Sequence, residues 1–274
     1  MANWVPLVTT VVLSQPDLPE RLSAVGWDRT LHVRGTLTTT RPTVAIVGAR
    51  AASVVAMERA HAVARHLAGR GIHVVSGGAL GVDGAAHRGA LAGGGTTTVV
   101  LGSGIDVLYP SRHARLFEQI VERGGALVSM FPVGTQPRGS TFPQRNKLIA
   151  ALADAVLVIE ADVHSGSLST AHAAKELGRV ICAWPGSRGC ERLLAQGAGI
   201  LESGEDAELA ARGTLRFRPP VELDPVAQQV ADAIAAGIVG IDEIVHHTGL
   251  AVRAVLRALP LIDRSNGSFP ARKQ

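Results

Sequence analysis

From Thr43 onward the chain repeats one alternation: a short aliphatic run, a corner of small residues, then a longer stretch with apolar positions three and four apart. The runs are TVAIVG (Thr43–Gly48), IHVVSG (Ile72–Gly77), TTTVVLG (Thr96–Gly102), ALVSM (Ala126–Met130), DAVLVIEA (Asp154–Ala161) and RVICAWP (Arg179–Pro185). They are β-branched and nearly continuous in apolar character, the pattern of strands covered on both faces. The stretches between them carry helical periodicity. SVVAMERAHAVARHLAGR, for example, opens on a serine suited to capping and closes near Gly71. Strand, helix and strand at this spacing predict right-handed crossovers. The fold class is therefore α/β, a doubly wound Rossmann-like parallel sheet over residues 43–215.

The pattern breaks at RFRPPVELDP (216–225), where three prolines mark a linker. Beyond it, residues 226–274 hold about three short helices with a tight turn at Thr248-Gly249. DRSNGSFPARKQ then carries an Asn-Gly hairpin signal. Three helices and a hairpin predict a small C-terminal winged-helix domain. Residues 1–42, interrupted by Pro and Thr, read as an irregular lead-in.

Composition narrows the reading. The 274 residues suffice for one large domain and a small one, and 46% hydrophobic against 18% charged excludes a disordered tail. Aromatics at 3% leave an aliphatic core, which suits a covered parallel sheet. The net charge of +4 comes almost wholly from arginine, since Lys147, Lys175 and Lys273 are the only lysines, and arginine's planar fork suits phosphate. Cys182 and Cys190 are too few and too far apart for a disulfide framework or a zinc site. No run is long enough to span a bilayer and no signal segment is evident, so a soluble cytoplasmic protein without membrane contact is expected.

In an open parallel sheet, ligands bind outside the carboxyl ends of the strands. Four corners there are built of small residues: Gly48-Ala49-Arg50, Ser76-Gly77-Gly78, Gly102-Ser103-Gly104, and Ser165-Gly166-Ser167 with Thr170 after it. Glycine lets backbone N–H groups approach a phosphate, and the helix behind adds a partial positive charge. Together the corners predict an anion cradle, although glycine is common in any tight strand-to-helix turn. None spells GxGxxG or GxxxxGK[ST], so neither a dinucleotide nor an ATP loop is indicated.

FPQRNKLI adds cations. Pro143 suits a first helical turn, which puts Arg145, Asn146 and Lys147 at a helix N-terminus just before an apolar run. Cations are disfavoured at that end, so an anionic partner is expected nearby, with these three residues contacting successive phosphates from the open side. The plainer alternative is a solvated helix start with snorkelling side chains.

With these residues set out, the chain resembles the DprA/Smf family of bacterial DNA-processing proteins, strongly from Thr43 to Leu201 and weakly in the tail. The resemblance is carried by VAIVGAR, VVSGGALGVDGAAHRGAL, VVLGSGIDVLYP, TFPQRNKLIAALADAVLVIEA, SGSLSTAHAAKELGRVICAWPG and LLAQGAGIL. FPxRNxxI followed by SGSxxTAxxA is specific to that family. The resemblance implies a homodimer that binds single-stranded DNA without strong sequence preference. It further implies that the strand is handed to the RecA recombinase in natural transformation (competence) or recombinational repair. It implies no cofactor, no metal and no catalysis, with Arg50, Arg145 and Lys147 in the phosphate pocket. Gly78 and Leu80 depart from the family's usual SGLARGID, Met130 stands where an acidic residue often occurs, and Glu191 where asparagine is usual.

Other functions were weighed. Nucleoside-monophosphate hydrolases with related folds use PGGxGTxxE, whereas SGSLSTAHA here puts alanine or histidine at the glutamate position. Asp83 and Asp106 are the remaining carboxylates near the corners, and Asp83 reads as a helix-start residue. A sensor of a free nucleotide would use the same cradle. Tyr109, Phe131 and Phe142 are the plausible stacking platforms. The stretch after Pro220 has five Lys/Arg against six Asp/Glu, a poor balance for independent DNA binding despite Arg253 and Arg257 one turn apart. His87, four residues after Asp83, reads as a structural hydrogen-bonding residue, and His246-His247 as surface.

Overall fold

All six aliphatic runs form parallel strands in the computed structural model, which describes residues 10–38, 40, 42–216, 224–238 and 240–266. They are β3 (Thr43–Val47), β4 (His73–Ser76), β5 (Thr97–Val100), β6 (Ala126–Ser129), β7 (Ala155–Val158) and β8 (Val180–Ala183). The sheet runs β1-β2-β6-β5-β4-β3-β7-β8-β9, with β9 a two-residue edge at Gly199–Ile200. Every pair from β6 to β9 in that order is parallel.

The described residues before Thr43, expected to be an irregular lead-in, hold two strands of the sheet. β1 (Thr10–Leu13) and β2 (Leu31–Gly35) extend the sheet beyond β6 by antiparallel pairing, with α1 (Glu20–Ser23) between them. In β2, Leu31 and Val33 alternate inward and are buried. Pro16 and Pro19 fall between the two strands rather than inside either, so they interrupt the sequence pattern without breaking a ladder.

Helices cover both faces. α2 (Val54–Gly69), α3 (Val82–Ala92) and α8 (Gly204–Ala211) pack on the side chains of Val44, Ile46, Val74 and Leu157. α1, α5 (Thr141–Leu152), α6 (Ser167–Glu176) and α7 (Arg188–Ala195) pack on Ala45, Val47, Val100, Val156 and Val158. Successive strand residues thus serve opposite layers, which is why the runs carry no polar face. α4 (Ala114–Glu122) closes a third cluster around Phe117 and Leu127. Ser53 caps α2 as expected, its Oγ accepting from Ala56 N–H at 3.1 Å.

The tail contains α9 (Pro225–Ala235), α10 (Ile241–Thr248) and α11 (Val252–Asn266) around Val230, Ile244, Val255 and Ile262. Gly249, at φ +68°, makes the expected turn between α10 and α11. Asn266, expected to open a hairpin with Gly267, ends α11, and the rest of that expected hairpin and most of the proline-rich linker lie outside the described residues. Among the described residues no helix is long and apolar enough to cross a membrane.

Candidate nucleic-acid interface

Strand order reverses between β3 and β7, because β3 pairs with β4 on one side and β7 on the other. Loops leaving these two strands diverge and open a crevice, the usual ligand position in such sheets. A cavity of about 660 Å³ occupies it. The Gly48–Arg50 corner forms one wall, Ser165–Ser167 and Thr170 at the start of α6 another, and α5 lies across with Phe142, Arg145 and Asn146.

Close packing shapes the first wall. A Cβ on Gly48 would lie 2.6 Å from the Val82 side chain. Gly81, at φ +76°, presses against the carbonyls of Ala49 and Arg50, so α3 begins directly beneath the corner. The Arg50 side chain leaves this corner exposed, its guanidinium 4.4 Å from the Phe142 ring centre. The Tyr109 ring, 47% exposed, sits 6.1 Å from Phe142 at a 45° tilt. Arg50 and Phe142 therefore line the crevice, with the exposed Tyr109 ring beside Phe142. Phe131 is buried and is not a platform.

Arg145 points the other way. It is 4% exposed, and its Nη1 donates to the carbonyls of Gly77 and Val100 at the ends of β4 and β5, while Nε donates to Asn146 Oδ1 at 3.0 Å. A Cβ on Gly77 would fall 2.5 Å from the guanidinium carbon, so glycine is required there to admit the arginine. Burial lowers the Arg145 pKa to about 10, opposed by the Asp83 carboxylate. Asp83 is 5% exposed and accepts from Ala79 N–H at 3.2 Å. Burial raises its pKa, with the Arg145 and Arg50 charges pulling it back. Asn146 Nδ2 donates to Gly166 O (3.1 Å) and Ser169 Oγ (2.7 Å), which ties α5 to the start of α6.

Of the expected site residues, the crevice brings together Gly48, Arg50, Arg145, Asn146, Ser165, Gly166, Ser167 and Thr170. Ser76, Gly77, Gly102 and Gly104 stand behind it. Ser76 Oγ donates to Ile46 O (2.6 Å), Gly77 backs Arg145, Gly102 backs the Phe142 ring, and Gly104 packs beside Asp106 and Pro132. Lys147 is not in the crevice at all. It lies in a separate groove with Trp27 and Arg29, because two residues along a helix are about 200° apart.

Two further expectations need correction. Arg145 lines the crevice but does not lean over its rim as a free cation, because its Nη1 and Nε are committed to Gly77 O, Val100 O and Asn146 Oδ1. Nor are the helix starts open rows of free amides. Ser53 N–H and Oγ bind the Glu160 carboxylate, Val82 N–H donates to Ala49 O, and the amides of Leu168 and Ser169 turn to Ser165 O and Gly166 O. What remains for an anion is the Arg50 cation, the hydroxyls of Ser165 and Ser167, and the dipole of α6. Sequence reasoning missed Asp162 and His164, which also line the crevice. Asp83 does bind a helix-start amide as expected, but it also forms part of the wall. His87 makes the expected structural bond, with Nδ1 2.8 Å from Thr97 Oγ1.

The family model described as DNA recombination-mediator protein A matches residues 9–210, and the DprA winged helix domain matches 216–260. The chain belongs to the DNA recombination-mediator protein A family. Among its DprA relatives, the putative DNA processing protein DprA of Mycobacterium tuberculosis is 39% identical over 237 residues, covering 80% of this chain and 60% of the relative. Protein Smf of Escherichia coli is 40% identical over 195 residues, 69% of this chain and 52% of the relative. The chain thus spans a little over half the length of these two relatives. The crystal structure of DprA from Streptococcus pneumoniae superposes with a TM-score of 0.67 at 34% identity, covering 76% of this chain and 75% of that one. DprA from Helicobacter pylori, described for its single-stranded DNA binding mode, gives 0.65 at 28% identity, covering 73% and 94%. The resemblance carried by the motifs is therefore a family membership, and the tail belongs to it as a DprA winged helix.

Proposed function

We propose that this protein binds single-stranded DNA at the β3–β7 crevice. In this reading it acts in the cytoplasm as a homodimer, hands the strand to the RecA recombinase during natural transformation or recombinational repair, and catalyses no reaction. The observation that carries the reading is Arg50, exposed and held over Phe142 at the mouth of the crevice. Its guanidinium takes a phosphate, the Ser165–Ser167 hydroxyl pair, joined by a 2.8 Å hydrogen bond, offers its one remaining O–H donor, and Phe142 and Tyr109 present ring faces to bases. Arg145 braces the crevice and holds Phe142 and α5 in place. A concave site reaches a flexible single strand better than the convex rod of a duplex. The single-stranded DNA binding mode of the Helicobacter pylori relative supports the same choice.

Anisotropy titrations of a labelled oligothymidine across a salt series test the binding. Each phosphate contact contributes about 0.7 to the slope of log affinity against log salt on a single strand. Arg50→Ala is expected to weaken binding and lower that slope by about one such step, and an unchanged titration would remove the assignment. The mediator step is tested by RecA ATPase on DNA pre-coated with a single-strand-binding protein, which should rise when this protein is added. Sedimentation velocity tests the dimer. The Asp83 and Asp162 carboxyls lining the crevice are what favours a nucleoside-monophosphate hydrolase. Free base in a chromatographic assay with nucleoside monophosphates would move the conclusion to that enzyme.

A further inference from the structure

Lys147 stands on the face of α5 turned away from the crevice, at the rim of a second concavity of about 210 Å³. Val25 and Trp27 from the turn after α1 form one side, and Ala173 of α6 and Leu177 just after it the other. The indole of Trp27 is half-buried, and its Nε1–H donates to Arg29 O at 3.0 Å, which fixes the ring. Arg29 is exposed, and its Nη1 donates to Gln144 Oε1 at 3.1 Å, so the cation is held against α5 beside Lys147. Two carboxylates, Asp28 and Glu176, share the groove. Glu176 lies on α6, 3.3 Å from His172, and Asp28 directly precedes Arg29, whose own head is tied to Gln144 of α5.

α5 belongs to both concavities. Pro143 lines the crevice, and Lys147 lies four residues on, about 6 Å along the helix axis. That separation is within the reach of one nucleotide, and the rim between them is exposed. A strand leaving the crevice over Pro143 and Gln144 meets Arg29 and Lys147 first, then the indole.

We propose that this groove holds the nucleotide next to the one in the crevice, with Arg29 and Lys147 on its phosphate and Trp27 against its base. The inference rests on the crevice being the single-stranded DNA site, so its test separates the two. Four proteins are titrated with a twelve-residue oligothymidine over a salt series: the wild type, Arg50→Ala, the double variant Arg29→Ala with Lys147→Ala, and Arg65→Ala as a remote cation on α2. In a background of Trp4→Phe and Trp184→Phe, Trp27 fluorescence is read in the same titration.

The double variant is expected to bind at least fivefold more weakly, with the salt slope reduced by about 1.4 for two lost contacts. Arg65→Ala should bind as the wild type does, and DNA should quench Trp27. Replacing the indole by leucine should itself weaken binding roughly fivefold or more. A double variant with unchanged affinity and slope, or an equal loss in Arg65→Ala, or Trp27 fluorescence indifferent to DNA, overturns the groove. If Arg50→Ala still binds more weakly with a lower slope in that case, the crevice stands without it. If Arg50→Ala binds normally, the crevice reading itself falls.

Discussion

Arg145→Met separates a brace from a contact. The guanidinium it removes is 4% exposed and supplies donors to Gly77 O, Val100 O and Asn146 Oδ1, while facing the buried Asp83 carboxylate. Methionine fills much of the volume but donates nothing. Two strand-end carbonyls then lose their donor, while the Asp83 carboxyl, 5% exposed, keeps Ala79 N–H but loses a neighbouring positive charge. Leaving a buried polar group without its partner costs about 1–3 kcal/mol, so about 3–5 kcal/mol is expected for the two carbonyls together. With a urea m-value of about 3 kcal/mol/M, the unfolding midpoint of the sheet domain should fall by roughly 1–1.7 M. Arg50→Ala removes only an exposed cation–π contact worth about 0.5–1 kcal/mol, so its midpoint should barely move while its DNA affinity drops. Adding Asp83→Asn to Arg145→Met should cost less than the sum of the single variants, since each single change strands the other group; a coupling of about 0.5–3 kcal/mol is expected. If Arg145→Met unfolds at the wild-type midpoint yet loses DNA as Arg50→Ala does, Arg145 is a phosphate contact and the bracing account is wrong.

Three other outcomes follow from the same packing. Thr97 Oγ1 donates to Val74 O and so accepts from His87 Nδ1–H, which leaves the buried Nε2 bare; burial, with His113 and Arg88 nearby, lowers the His87 pKa to about 3. The unfolded chain takes up that proton near pH 6.5, so stability is full above that pH and falls by about 1.4 kcal/mol per unit on acidifying toward 3, a slope that His87→Leu should reduce by one proton in urea titrations at several pH values. Gly81→Ala must adopt φ +76° and push against Arg50 O at 2.6 Å, so it should cost about 2 kcal/mol or more in thermal unfolding and weaken DNA binding. Gly94→Ala has a similar φ but open space around it, so it should lose only about 1–2 kcal/mol and bind normally. Ser53→Ala removes the α2 cap and a 2.6 Å bond to Glu160, and should cost about 1 kcal/mol with no change in DNA affinity.

The six parallel strands were legible because a strand buried on both faces has no polar side to confuse with a helix. β1 and β2 were not, since each depends on a partner, β2 on β6 and β1 on β2, that local pattern does not name. The corners after β3 and β7 were legible as ligand positions from fold class alone. That these two share one crevice, while the corners after β4 and β5 stand behind it, follows from the strand order β5-β4-β3-β7, which neither composition nor spacing carries.

The charges of FPQRNKLI teach a sharper lesson, because the information needed to separate them was present. Leu148, Ile149 and Leu152 fix the buried side of α5, and Arg145 lies three and four residues before the first two, so it shares their face. Lys147 lies one and two residues before them and cannot. Grouping the two cations by charge, rather than by helical phase, put both in one phosphate clamp. A cation on the core-facing phase meets backbone carbonyls at the strand ends, which have left the ladder and still require donors. Arg145 supplies two of them. A cation on the outward phase has only solvent and whatever docks there. Phase therefore decides which arginine braces the crevice and which basic residues remain for the strand, namely Arg50 at the crevice and Lys147 in the groove beyond Pro143.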